Sequence, residues 1–191
     1  MKNGVTHFKG RRASTGLSMI ELALVLPVLL LLLLGVADFG RFILFDNILI
    51  NMSREGANLA ARTSQSPQFI IDALNHTATP LDMETHGMVY ITRVVGADGG
   101  AGTVVSRVEE QYRASIGDAS LQSKLSWSCP SWTGGRCNVP VAQADRLVVL
   151  ALPRPLGLGE EVHVVETTYH YSTFSKYVLQ TDPDLYSATL L

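Results

Sequence analysis

Cysteine is nearly absent from this chain, with two thiols in 191 residues. That is too few for a disulfide-dense mini-domain or a four-thiolate zinc site. Charge is scarce as well, at 17% of residues, against ~25% in an ordinary soluble domain. No strong excess of one sign exists. The net charge of −2 and isoelectric point near 6.2 exclude a strongly basic nucleic-acid binder. There is no P-loop, dinucleotide fingerprint or HExxH helix, so the commonest nucleotide and metal-enzyme signatures are missing. Internal repeats and long linkers are missing too, and the length suits about one domain.

The missing charge has a local origin. Leu22 to Ala37 carries no charged residue, and seven of the eight positions from Leu26 to Leu33 are Leu or Val. The remainder has an ordinary soluble composition, with enough apolar residues to fill a core. Residues 1–16 hold Lys2, Lys9, Arg11 and Arg12 and no acid, whereas Arg41 is the only basic residue in the fifteen positions after Ala37. The positive-inside rule then places the N-terminus in the cytoplasm and the bulk of the chain outside the inner membrane. The Arg11-Arg12 pair also fits a twin-arginine export signal, although adjacent arginines recur by chance. Sixteen uncharged residues are short of the ~20 that a spanning helix needs. Starting at Leu17 lengthens the span to twenty-one but includes Glu21. An ionisable group inside such a segment is a functional candidate; the alternative is that Glu21 sits at headgroup depth.

Two processing schemes fit this layout. One is a secretory signal cut after Gly35-Val36-Ala37. The other cuts after Gly16, before the apolar run. The second explains two features. The apolar pattern does not stop at Ala37, because Phe39, Phe42, Ile43, Phe45, Ile48 and Leu49 continue it. A cut after Gly16 also makes Leu17 the first residue and Glu21 the fifth.

Gly16-Leu17-Ser18-Met19-Ile20-Glu21, followed by an apolar helix, resembles a type IV prepilin processing site. The longer pattern is more specific. It runs from Gly16 through Pro27-Val28, then Gly35-Val36-Ala37-Asp38-Phe39-Gly40-Arg41, then Arg54-Glu55 to Ala61-Arg62. Over residues 16–62 it is similar to the TadE-like family of minor pseudopilins in the Tad (tight adherence, Flp) pilus system. Major pilins of that system often carry an aromatic residue after the glutamate, whereas this chain has Leu22. The resemblance implies cleavage after Gly16 by a prepilin peptidase, methylation of the new N-terminus at Leu17, and a register role for Glu21. A carboxylate from one subunit would offset the ammonium of a neighbour, and burying either charge alone costs several kcal/mol. It also implies partners: other Tad pilins or pseudopilins, the inner-membrane assembly platform and the lipid bilayer.

From Leu17 to Arg62 a continuous helix would be ~69 Å long. Pro27 lacks an N–H and is expected to kink or locally unwind it. Beyond Asp38 the helix becomes amphipathic. Phe42, Phe45, Leu49, Met52, Gly56 and Leu59 form one seam at 3-4-3-4-3 spacing. The seam is expected to pack on the chain's own globular domain, with a second pilin subunit as the alternative. Arg54, Glu55 and Arg62 belong to the family-like motif at the helix end, and Ser64 to Pro67 terminates it.

The expected division is a basic leader over 1–16, a transmembrane and amphipathic helix over 17–65, and an exported globular domain over 66–191. Ser66 and Pro67 predict a short helix to Leu74. Met88–Val95 and Thr103–Tyr112 read as a hairpin around a glycine-rich loop, and Arg146–Leu152 with Val162–Tyr171 as a second strand pair. Four antiparallel strands crossed by the long helix make an α+β fold. Cys129 and Cys137 flank a short loop containing Trp132. In an oxidising compartment a disulfide is expected there, contributing ~2–3 kcal/mol. Trp127 and Trp132 are either core residues or a contact surface.

Catalysis finds no support. The five histidines are scattered, and His163 and His170 point to opposite faces of any regular strand. Glu109-Glu110 and Glu160-Glu161 diverge for the same reason. No nucleophile elbow surrounds a serine, and no cofactor or metal site is expected. Without the four leader cations, 11 Lys and Arg face 17 acids, a balance that suits a soluble exported domain and not DNA binding. The functional expectation is a non-enzymatic minor pseudopilin in pilus initiation, assembly or surface adhesion. The alternatives are a type II secretion minor pseudopilin, an uncleaved membrane-anchored periplasmic binding or sensor domain, or a soluble secreted protein.

Overall fold

Helix α1 runs from Thr15 to Arg62 and is assigned as α-helix through Pro27 without interruption. The computed structural model describes residues 15–152, 154–173 and 182–191, with side chains from Met19 onward. Of the expected leader, 1–16, positions 1–14 lie outside the described residues. Met19 to Ala37 is exposed along its whole length, and Asp38 is the first buried residue of the helix. That exposed portion is roughly 28 Å long, close to the ~30 Å hydrocarbon thickness of a bilayer. Its mean hydropathy of 2.8 over an 18-residue window makes α1 long and apolar enough to cross a membrane.

After α1 come α2 (Pro67–Thr77), a one-turn α3 (Met83–His86), β1 (Gly87–Gly100), β2 (Thr103–Arg113), β3 (Trp132–Thr133), β4 (Arg136–Cys137), a 3-10 turn (Gln143–Arg146), β5 (Glu161–His170) and β6 (Asp184–Leu190). Ser66 caps α2 as expected, its Oγ accepting from the Phe69 N–H, with Pro67 at the first turn. The strands form one antiparallel sheet in the order β3-β4-β2-β1-β5-β6. The α+β class is as expected, with six strands rather than about four.

One expected strand is absent. Arg146–Leu152 forms a single bridge, Leu147 to Arg107, and then leaves the edge of β2. The partner of β5 is instead β6, which the hydrophobic pattern did not reveal. Val139 to Leu152 serves as an irregular cover for the sheet, together with the β3–β4 hairpin. That hairpin turns on Gly134 and Gly135, both at positive φ (55° and 81°), which side chains disfavour.

The sheet has two buried faces. On one, α1 lies over β5 and β6 and α2 lies toward β1 and β2. Val89, Ile91, Val165 and Tyr169 meet Phe45, Leu49, Met52, Ile71 and Leu74 there. On the other face Val94, Val108, Val162 and Val164 are covered by Trp127, Val148 and Leu156. Cys129 and Cys137 are disulfide-bonded, with Cα atoms 5.9 Å apart. Trp127 is core, its indole N–H donating to the Asp145 carbonyl at 2.7 Å. Trp132 is half-buried, between Tyr90 and the Arg113 guanidinium, which stacks 4.5 Å from its ring.

Candidate functional site

The apolar rod holds the candidate residues Gly16, Leu17, Glu21 and Pro27. Gly16 and Leu17 occupy its first turn; their side chains lie outside the described set. Glu21 is exposed and makes no hydrogen bond or ion pair with the described residues. Pro27 sits within the exposed stretch, where its missing N–H leaves one carbonyl without its helical donor. Gly35 and Gly40 have no neighbouring atom within 4 Å of a Cβ built on them. This part of the helix therefore offers close-approach positions that the chain itself does not use.

The rod meets the globular domain at a polar clasp. Asp38 is 7% exposed and Tyr171, one residue beyond β5, is 1% exposed. The Tyr171 hydroxyl donates to the Asp38 carboxylate at 2.7 Å and lies 3.0 Å from the Asp38 carbonyl. Phe42 and Phe45 meet the Tyr171 ring edge-on at 5.6 and 5.5 Å. The Arg41 guanidinium lies 5.4 Å from the Phe45 ring centre and 6.0 Å from that of Tyr171. Burial raises the Tyr171 pKa to about 12, with the Asp38 hydrogen bond and charge acting in the same direction. A phenol with a raised folded-state pKa stabilises fully below its unfolded value of about 10. That stability is lost as pH rises toward 12. Absorbance titration near 295 nm should show a tyrosine ionising near pH 12, and Tyr171→Phe should remove that step. Loss of the step in Tyr186→Phe instead would refute this assignment.

Beyond the clasp, the seam packs on the chain's own sheet. Phe45, Leu49 and Met52 are buried and Phe42 and Leu59 are partly buried. The helix also presents a buried hydroxyl that no apolar template picks out. The Ser53 Oγ lies 3.0 Å from both the Ser187 Oγ and the Thr189 Oγ1 of β6. Thr167 donates to the Leu49 carbonyl at 3.0 Å, tying β5 to the same helix. Arg54, Glu55 and Arg62 are all exposed, and Arg54 lines a recess beside Ala188–Leu191 at the end of β6.

The opposite face of β5 carries a buried acid. Glu166 is 0% exposed. It accepts from the Ser123 hydroxyl (2.5 Å), the Lys124 N–H (2.9 Å) and the Tyr186 hydroxyl (2.9 Å). Burial first, then the nearby Glu166 charge, raises the Tyr186 pKa. Within each adjacent acid pair the two side chains reach different arginines, Glu109 to Arg146 and Glu110 to Arg93 and Arg136, Glu160 to Arg154 and Glu161 to Arg93, so Arg93 is shared between the two pairs. His170 pairs with Asp184 at 2.8 Å. Among the described residues no three His, Cys, Asp or Glu side chains are grouped to hold a metal ion.

The geometry thus concentrates unused close-approach surface in the first half of α1. The family model described as TadE-like protein matches residues 16–58. Over that stretch of its N-terminal helix the chain is similar to the TadE-like family. The matched segment ends short of Arg62 but takes in Gly16, Glu21, Pro27, Asp38, Arg54 and Glu55. It covers both the bare rod and most of the part of α1 that packs on the sheet, so the TadE-like segment is one continuous helix with two environments. No curated protein and no solved structure shows a significant match to the chain.

Asp38 and Tyr171 escaped the sequence reading as a pair. Asp38 was visible as the first acid after the apolar run, but nothing in the pattern linked it to a tyrosine 133 positions away.

Proposed function

We propose that this protein is a minor pseudopilin of a Tad-type pilus, acting in pilus initiation, assembly or surface adhesion. The observation that carries the reading is the coincidence of the TadE-like match with a helix whose first half stands bare of its own domain. Apolar surface of that length needs a bilayer or neighbouring helices to cover it. A prepilin peptidase cuts after Gly16, leaving Leu17 to be methylated. The helix first holds the protein in the inner membrane, N-terminus inside and globular domain in the periplasm. It then packs against the helices of other pilins at the assembly platform. Glu21, exposed on the rod, sets axial register by offsetting a neighbour's N-terminal ammonium. The protein works by packing, without catalysis, cofactor or nucleic acid. The unbroken course of α1 through Ala37 favours this over a signal peptide cut at Ala37.

Intact mass and peptide mapping, in cells with and without the cognate prepilin peptidase, test the reading. A chain beginning at methylated Leu17 only when the peptidase is present is the expected result. An uncut start at Met1 in both strains would make this an anchored domain, and a start at Asp38 a secreted one. In the processed protein, Glu21→Ala should abolish or strongly reduce incorporation into pili while leaving membrane insertion intact.

A further inference from the structure

The part of α1 that packs on the sheet has a second stripe on its outward side. Gly40, Leu44, Asn47, Asn51 and Asn58 recur at 4-3-4-7 spacing, and all are exposed. At ~100° per residue the stripe lies roughly opposite the buried seam through Phe45, Leu49, Met52 and Gly56. It continues, in the same phase, the exposed Leu33 and Ala37 of the rod. Leu44 is 49% exposed, and a Cβ built on Gly40 meets nothing within 4 Å. Three of the five positions are asparagine, a poor helix former, where a face that met only water would favour Glu, Lys or Arg. Asn47 and Asn58 each donate one amide N–H to the carbonyl four residues back, at 2.8 and 3.0 Å. Their second N–H and their Oδ1 remain available to a partner.

The charges beside the stripe are of both signs. Arg54 flanks it on one side and Glu55, ~100° further round the helix, on the other. Both are exposed, and neither forms an ion pair among the described residues. Two copies anchored in one bilayer stand parallel with the same end inside, so their equivalent residues lie at the same depth. A two-fold axis between the helices then sets each asparagine against itself, and an amide is both donor and acceptor. The same axis brings Arg54 of each copy beside the partner's Glu55, ~1.5 Å apart in height. Both pairs are attractive. Asparagine in a helix seam is also a known device for fixing register and the number of strands.

We propose that α1 pairs through this stripe with α1 of a second copy of the chain, parallel and in register. The pairing rests on the membrane-anchored reading above, which holds both copies parallel and at one depth. It gives the helix two opposite faces, one for its own sheet and one for its twin, whose sheet stands on the far side of the pair.

The two native cysteines are joined to each other, so one added cysteine supplies the free thiol for a test. Asn47→Cys, Asn51→Cys and Asn58→Cys are oxidised in membranes of cells making a tagged and an untagged full chain. Asp46→Cys, off the stripe on the same helix, and Gln122→Cys, on the globular domain, serve as controls. The three stripe variants should give a linked product at twice the chain mass that contains both tagged and untagged copies, and the controls should give little. Glu55→Arg should cut the Asn51→Cys product about fivefold, because two exposed ion pairs become repulsive. Adding Arg54→Glu should restore it. Equal linkage on and off the stripe, or none in chain recovered from membranes, would overturn the pairing alone. A linked product containing a different pilin in place of the second copy would overturn it too. Recovery of the chain from the soluble fraction would overturn the anchored reading and the pairing with it.

Discussion

Glu166→Ala is expected to cost about 2–4 kcal/mol of folding free energy, because several buried donors lose their acceptor at once. The Ser123 hydroxyl, the Lys124 N–H and the Tyr186 hydroxyl all converge on this one carboxyl group at the centre of β5. Alanine offers none of them an acceptor and also leaves a void. The cost should be local before it is global. Residues 121–126, held to the sheet through Ser123 and Lys124, should exchange their amide hydrogens faster than the core strands do. Glu166→Gln keeps the shape and one acceptor oxygen, so it should lose about half as much. Denaturant unfolding of the full chain in detergent, with hydrogen exchange, measures both. An alanine variant within ~0.5 kcal/mol of the parent would show that the cluster adds nothing, since surface changes fall in that range.

That acid was beyond the reach of pattern reading. Periodicity finds faces, and the stretch Val162–Tyr171 reads as a strand whichever side Glu166 occupies. What a single sequence lacks is the cover. Ser123 and Lys124 come from an irregular segment with no periodic signal, so their convergence is a property of the tertiary fold. The same limit explains β6. Its helix-facing positions are Leu185, Ser187 and Thr189, and two of those are hydroxyls. An apolar–polar template rejects such a strand. The structure accepts it because Ser53 of α1 satisfies both hydroxyls in the interface. Residues 147–152 err in the opposite sense. Their pattern is a strand, but the Ser126 hydroxyl captures the Val149 N–H after one bridge.

Local signals carried the rest. The long helix, its bare apolar half, the capped α2 and the β1–β2 hairpin follow from short-range chemistry: an uninterrupted apolar run, a Ser-Pro start and a glycine-rich turn between β-branched runs. The disulfide followed from compartment and proximity in sequence. In the candidate site, Gly16, Glu21 and Pro27 could be singled out from the sequence because they lie in one contiguous segment, the one matched by the TadE-like model. The Asp38–Tyr171 clasp could not, since it depends on where the rod enters the sheet.

A pair of glycines separates what α1 does for its own domain from what it does for a neighbour. Gly56 lies where the helix crosses β5. A Cβ there would come within 2.8 Å of Leu74 Cδ1 and 3.0 Å of Val165 Cγ1. Gly56→Leu should therefore force α1, α2 and β5 apart and cost about 1–3 kcal/mol or more by overpacking. Gly35 meets nothing within 4 Å. Gly35→Leu should leave the isolated chain at least as stable as the parent, because glycine disfavours a helix interior by ~0.5–1 kcal/mol. Its effect should appear only in assembly, where small residues let helices approach closely. The decisive comparison is thermal unfolding of each purified variant beside its incorporation into pili. Gly56→Leu should fail in both measurements, and Gly35→Leu only in the second. Normal pilus incorporation of Gly35→Leu would mean that this stretch of the rod is not a packing face, and the contact would have to be sought at other positions along Met19–Ala37. A lowered melting temperature for Gly35→Leu in detergent would mean instead that the rod folds back on its own domain, against the bare course that makes it available to other subunits.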